Sequence, residues 1–507
     1  MKKNNRIKIC LLTSFIALFA SGCSRSPVAF ETIETLPEIY PDYTNLKIPV
    51  NIAPLNFAVT DAERIIANYS ANGKFFSVKG KNRIEIPQKK WKSFLKQNIG
   101  DTIWVEIYVK KARQWKVYTK TWYFISPDAI DPYIVYRYIP PGYDQWNRMG
   151  LFQRNLESFK EKPIITNEYT KKNCMNCHSF RMNDPNEMVF HFRQKFAGTY
   201  LLKDNVLSRL DTKTEYTISN CVYPYWHPSG NFIAFSNNLT SQSLHACPRL
   251  NIEVYDEASD IVILDIESNK LFTDSLISKP DILETYPSFS PDGKKLFFSA
   301  SQVQEKLPDE YHLIKYSLYS IDFDPYTKRF GTKIDTLISS CIVNKSVTFA
   351  HPSPDGKFIL CTLSDYGCFP SWNEESDLYL LDLSNGNLKN LKTVNSTSAE
   401  GFTSWSSNSK WITFSSRRED GQYNRLYFAY IDTAGNPSKP FILPQKNPQH
   451  NIMNLNAYNK PEFAKAKINI KPQKIVKVAK NESIKVGFSG EAIKVRNVRQ
   501  SRQNEVN

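Results

Sequence analysis

The chain has 507 residues, too many for one hydrophobic core, since single cores stop growing at roughly 250 to 300 residues. Its 41% hydrophobic and 13% aromatic content, with 27 Tyr, 31 Phe and 29 Pro against 18 Gly, favours short strands and turns over long helices. The formal charge is +15, but Lys2, Lys3, Arg6 and Lys8 belong to a leader and residues 460–507 are strongly basic, so the globular body is near neutral, which argues against a nucleic-acid footprint on a folded face.

Residues 1–22 read as an export signal. Met1 to Lys8 is basic, Ile9 to Phe19 is apolar but shorter than the roughly 20 residues that span a bilayer, and Ala20-Ser21-Gly22-Cys23 closes the segment. That ending resembles a bacterial lipobox. The resemblance implies a lipid on Cys23 and, with Ser24 rather than Asp following it, a periplasm-facing position on the bacterial outer membrane. The fold class expected is mainly β, and no other stretch approaches the length of a membrane span.

Residues 23–45, with Pro27, Pro37 and Pro41, read as an extended tether. Over 46–126, alternating segments such as Thr102-Ile103-Trp104-Val105-Glu106-Ile107-Tyr108-Val109 recur between turns, interrupted by one helical stretch from Lys89 to Gln97. The spacing predicts a small β-sandwich.

Alternation weakens over 127–197, where Tyr136, Arg137, Tyr138, Tyr143, Trp146 and Arg148 precede Cys174-Met175-Asn176-Cys177-His178. This segment is expected to be a separate haem-binding module. Two thiols three positions apart can add to the two vinyl groups of a haem while the adjacent imidazole reaches the iron, and random placement would give the pentapeptide only about 0.002 times per chain. A disulfide is the competing reading, although no thioredoxin-like βαβ context surrounds the pair. A zinc site with a fourth ligand such as His191 is another.

Over 198–445 the sequence repeats itself. Tyr223-Pro224-Tyr225-Trp226-His227-Pro228-Ser229-Gly230 returns as Tyr286-Pro287-Ser288-Phe289-Ser290-Pro291-Asp292-Gly293, as His351-Pro352-Ser353-Pro354-Asp355-Gly356, and more loosely as Phe402-Thr403-Ser404-Trp405-Ser406-Ser407-Asn408-Ser409. Each copy is a strand, a Pro/Gly turn and a second strand, and units of this length predict a propeller. The pattern resembles the TolB-like β-propeller repeat, which implies a scaffold that docks partners. Four blades are plain, and Met188 to Ile218 could supply another. Residues 446–507 read as a basic tail meeting anionic lipid, an acidic partner or solvent.

The motif itself resembles that of c-type cytochromes. The likeness covers about residues 170–195 and implies thioethers at Cys174 and Cys177 and His178 as the proximal ligand of one covalent haem c. For the distal position His191 is the first candidate and His227, Met188 and Met182 the others. Tyr169, Phe180, Phe190 and Phe192 would exclude water, and Arg181, Arg193 or Arg148 could meet propionates. Cys221, Cys247, Cys341, Cys361 and Cys368 allow at most two disulfides, and Cys361 and Cys368 could meet across a hairpin. Asp256-Glu257-Ala258-Ser259-Asp260 reads as a solvated loop more readily than as a Ca2+ site. No Gly-x-Ser-x-Gly, His-Glu-x-x-His or phosphate-cradling loop is present. The expected function is electron transfer or redox assistance by a haem-bearing envelope lipoprotein that docks an envelope protein through its propeller. The alternative is a non-enzymatic TolB-like scaffold for proteins or glycans, with haem structural or absent.

Overall fold

The computed structural model describes residues 26, 27, 29–140, 148–244 and 252–489. The lipidation candidate Cys23, the export signal, Tyr143, Trp146, Cys247 and the last part of the basic tail lie outside the described residues.

The N-terminal unit has one seven-stranded sheet and a two-stranded one, Phe57–Ala58 with Arg83–Ile84, where the strand spacing predicts a small β-sandwich. The path of the larger sheet runs from Glu31–Ile33 through Gln114–Tyr118, Thr102–Lys111 and Arg64–Ala71 to Lys74–Gly80, with Thr121–Ser126 paired to Thr102–Lys111 and Leu46–Pro49 paired in turn to Thr121–Ser126. The second layer is the helix Gln88–Gln97, which starts after Pro87 and buries Trp91, Phe94 and Leu95 on one face. Trp91 stacks edge-on against Tyr69 and Tyr123 of the sheet. A helix covers the apolar face that a second sheet would otherwise cover.

Six four-stranded units follow, arranged in a ring. Four of them carry the sequence repeats on their inner two strands, which begin at Val222–Trp226, Ile282–Phe289, Ser346–Pro352 and Glu400–Trp405. The remaining two account for 127–197, so this segment is not a separate module. Tyr133–Ile139, Gly150–Asn155 and Glu161–Thr166 form blade 1 together with Ala457–Ala464 from the far end of the chain. Met175–Phe180, Met188–Phe192, Gly198–Lys203 and Val206–Asp211 form blade 2. Each inner strand touches the inner strands on either side of it, which closes a six-bladed β-propeller. The ring has no free first or last blade because Ala457–Ala464 pairs antiparallel with Tyr133–Ile139.

The tail is therefore largely structural within the described residues. After its strand in blade 1 comes the helix Pro472–Lys480, burying Ile475 and Ala479. Ile484–Lys485 and Gly487–Phe488 then add as parallel edge strands to blades 2 and 3. The two parts of the molecule share one core, in which Trp91 and Tyr123 belong with Trp411, Phe428 and Phe441. Trp411 donates its indole N–H to the carbonyl of Asp128 at 2.9 Å, and Arg154 donates to the carbonyl of Pro444 at 2.8 Å.

Candidate functional site

All six inner strands break their pairing at the same place. The register shifts fall between Asn176 and His178, Val222 and Tyr225, Thr285 and Ser288, Thr348 and His351, and Gly401 and Ser404, with the sixth between Asn459 and Glu462 of Ala457–Ala464, which face Arg137 and Val135. At each bulge one residue has positive φ: Cys177 (31°), Tyr223 (49°), Tyr286 (51°), Phe349 (50°), Phe402 (47°) and Lys460 (47°). The equivalence places Cys177-His178-Ser179-Phe180 on Tyr223-Pro224-Tyr225-Trp226 and on Tyr286-Pro287-Ser288-Phe289. It also reveals Lys460-Pro461-Glu462-Phe463 as a copy that the sequence reading missed.

Two tiers follow from this alignment. Tyr223, Tyr286, Phe349 and Phe402 meet around the ring axis, with centroids 4.7, 4.1 and 5.3 Å apart in that order, and Cys177 and Lys460 take the two remaining places. Two residues further along the strands, Ser179, Tyr225, Ser288, His351, Ser404 and Glu462 form a polar tier. Tyr225 of blade 3 and His351 of blade 5 stack at 6.1 Å.

Cys174, Cys177 and His178 are all buried, and His178 is fully so. Both cysteines are free thiols. Cys174 sits in the core between blades 1 and 2 with Val135, Met149, Phe190 and Phe192. Burial pushes its thiol up while the charges of Arg193 and Arg137 oppose that. Neither ring nitrogen of His178 meets a partner at normal hydrogen-bond distance and angle; the backbone of Val135 acts weakly on the ring, and Oε2 of Glu462 stands 3.9 Å from Nε2. Burial, reinforced by the charges of Lys460 and Arg137, holds the imidazole neutral. Glu462 accepts the N–H of Phe180 at 2.8 Å, and burial raises its pKa to about 7 against the opposing charge of Lys460. Arg137 donates to the side chain of Asn176 within the motif.

The structure does not bring His178 and His191 together. His178 pairs directly with Phe190, so it shares the face of the blade 2 sheet that looks at blade 1. His191 is the next residue, on the opposite face, where its ring lies 5.9 Å from Phe235 of blade 3 and its Nδ1 is hydrogen-bonded to Thr199 at 3.1 Å. Burial lowers the pKa of His191 to about 3. His227 closes its own turn, with Nδ1 on Ser229 Oγ at 2.7 Å and Nε2 on the carbonyl of Gly293 at 3.0 Å. Met188 is buried opposite Phe180, and Met182 is exposed.

Among the other expected neighbours, Phe180, Phe190 and Phe192 share the core of Cys174, while Tyr169 is exposed. Arg181 is taken by Glu187 and the carbonyl of Pro228, and Arg148 is exposed in a turn. Cys361 and Cys368 lie in different cores and are not bonded, and Cys221 and Cys341 are free as well. Asp256 is buried within a strand, not in a solvated loop, and accepts from Asn238 at 2.9 Å and Thr240 at 2.8 Å. Among the described residues no group of three or more His, Cys, Asp or Glu could hold a metal ion.

The chain matches no family model and no curated protein. Among solved structures it is similar to one of two prolyl endopeptidases, with 11% identity and a TM-score of 0.35, covering 62% of this chain and 42% of that one. It is also similar to a DUF4784 family protein from Bacteroides caccae, with 9% identity and a TM-score of 0.30 over 70% of this chain and 95% of that one. A third is prolyl oligopeptidase B from Galerina marginata, with 10% identity and a TM-score of 0.33 over 78% and 55%. The chain thus spans less than half the length of the first of these proteins, and the propeller assignment rests on this chain's own sheet topology.

Proposed function

We propose that this chain is an exported envelope lipoprotein, anchored through Cys23, whose propeller carries one haem on Cys174 and Cys177 and passes electrons to a protein docked on a propeller face. One observation carries the reading: a fully buried His178, with no side-chain partner and only the backbone of Val135 acting on its ring, stands beside two free thiols. At that place the other blades have Pro224, Pro287, Ala350, Thr403 and Pro461, so the fold itself asks for no imidazole. A buried ring so weakly partnered is costly unless something else meets it. The haem, when bound, supplies one-electron chemistry. The chain's own residues fit the donor set: Cys174 and Cys177 would hold the group, His178 would ligate it as a neutral base, and Arg137 and Lys460 would face its carboxylates with positive charge. The second axial position is not assigned to His191, which faces blade 3.

Val135, Phe190 and Phe192 pack the interface beside Cys174, so these side chains would have to give way for Cys174 and Cys177 to hold the group. The test is maturation in a periplasm with haem-attachment machinery. The wild type gains one haem mass that survives denaturation, and Cys174→Ala with Cys177→Ala loses it. An unmodified wild type overturns the proposal. It would favour the second reading, a haem-free interaction scaffold, which the place of Cys177 and His178 within a regular blade repeat supports.

A further inference from the structure

The helix Pro472–Lys480 lies on the outer rim of the ring, where blade 1 meets blade 2. It touches Glu161–Thr166 of blade 1, the turn Asn167–Thr170 and the strand Val206–Asp211 of blade 2. Its first turn is held by Lys474, whose Nζ donates to the carbonyl of Asn205 at 2.6 Å. Its last turn is held by Arg209, which donates to the carbonyls of Ala479 at 2.9 Å and Asn481 at 3.2 Å. Ile475 and Ala479 face inward and are buried, and Lys474, Lys477 and Lys480 recur at every third position on the exposed side.

Positive charge is in excess on this rim. Residues 471–484 hold four lysines against Glu482, and the neighbouring 161–172 hold three against Glu161 and Glu168. Glu161 is already engaged by the hydroxyl of Tyr136. Among the described residues Lys162, Lys171, Lys474, Lys477 and Lys480 form no ion pair.

Exposed apolar side chains stand around the same helix. Val206, 62% exposed, follows Asn205 beside its first turn, and Ile484, 49% exposed, pairs with Leu210 beside its last. Tyr169 is exposed in the turn on the helix's other flank. Charge by itself fits any polyanion. Aliphatic and aromatic side chains interleaved with it favour a lipid surface, whose headgroups meet the ammonium groups while the level beneath them takes apolar tips.

We infer that this rim docks on an anionic lipid surface, with Lys474, Lys477 and Lys480 over the headgroups and Val206 and Ile484 entering between them. The inference deepens the envelope reading given above, and it is tested without the Cys23 lipid so that the two can fail separately.

The experiment is co-sedimentation of the mature chain carrying Cys23→Ala with vesicles of phosphatidylglycerol mixed with phosphatidylcholine, and with vesicles of phosphatidylcholine alone. Binding to the anionic vesicles is expected to be at least about tenfold tighter, and to weaken as salt is raised to about 0.5 M. Lys474→Gln, Lys477→Gln and Lys480→Gln together should weaken it by at least about tenfold, because each lysine near such a surface contributes about fivefold. The same change at the exposed Lys306, Lys333 and Lys392 should leave it unchanged. Val206→Ser with Ile484→Ser should weaken vesicle binding by about threefold or more and leave any binding of soluble polyglutamate unchanged. If the triple variant fails to fold, the salt series and the Val206/Ile484 variant decide. Equal binding of the two vesicle types, no binding, or equal loss in the two lysine variants overturns the inference. Vesicle binding untouched by Val206→Ser with Ile484→Ser also overturns it, and points to an acidic protein partner instead.

Discussion

Replacing His351 by Asn should make the protein less sensitive to acid, by an amount that follows from where the ring sits. Burial, with Lys460 adding repulsion, lowers the pKa of His351 from 6.5 to about 3, while Nδ1 is hydrogen-bonded to Thr403 at 3.1 Å. In the unfolded chain the ring takes up a proton as pH falls through 6.5; in the folded chain it does so only near 3. Stability is therefore intact above pH 6.5 and is lost as pH falls through the window between the two values. At 1.36 kcal/mol per unit, the loss attributable to this ring is about 2 kcal/mol at pH 5 and under about 1 kcal/mol at pH 6. Asn keeps a polar group near Thr403 and cannot be protonated. The assay is the denaturant midpoint of wild type and His351→Asn, each at pH 7 and at pH 5. Other buried rings such as His191 contribute equally to both proteins and cancel in the difference. The wild type should lose about 2 kcal/mol more than the variant on moving to pH 5. Equal losses would show that water reaches His351 in the channel and that its ring titrates normally.

Other outcomes follow from the same geometry. Removing residues 457–489 takes the inner strand from blade 1 and exposes the partners of Tyr458 and Phe463, and should cost at least about 3 kcal/mol and broaden the unfolding transition measured by circular dichroism. Gly293→Ala should destabilise more than Gly356→Ala. Both glycines have positive φ, but a Cβ on Gly293 would stand 2.3 Å from His227 Nε2 and one on Gly356 meets nothing within 4 Å, so denaturation midpoints should separate the pair by about 1 kcal/mol or more. In the haem-loaded protein, His191→Ala should leave the visible spectrum of the bound group unchanged. A shift to a high-spin spectrum would return His191 to the iron and contradict the face assignment within blade 2.

Four of the six blades were legible in the sequence because their turns recur, three with Pro and Gly and the fourth as Ser406-Ser407-Asn408-Ser409; in Ser290-Pro291-Asp292-Gly293, Ser290 donates to Asp292 at 2.5 Å. The same turn survives in Ser353 and Asp355, and in Ser406 and Asn408. Of blade 2 the stretch from Met188 to Ile218 was legible as a further blade, but its inner strand Met175–Phe180 was not, and blade 1 was not legible at all. A bulge asks only for a residue that tolerates positive φ with its side chain toward the channel, and Cys177 and Lys460 meet that demand without resembling Tyr286 or Phe402. The motif at Cys174 to His178 stood out by residue type, and for that reason it was read as a module of its own.

What the sequence by itself determined is local: the strand and turn chemistry of each repeat, the helix Gln88–Gln97 with its apolar face, and the five residues of the motif. The tertiary structure decided the rest. Ring closure joins Ala457–Ala464 to Tyr133–Ile139 across more than half the chain, and no local pattern encodes a pairing between strands so far apart. Which face each histidine of blade 2 presents depends on register, because one step along a strand reverses the side chain. His178 therefore looks toward blade 1 and Glu462, and His191 toward blade 3 and Phe235.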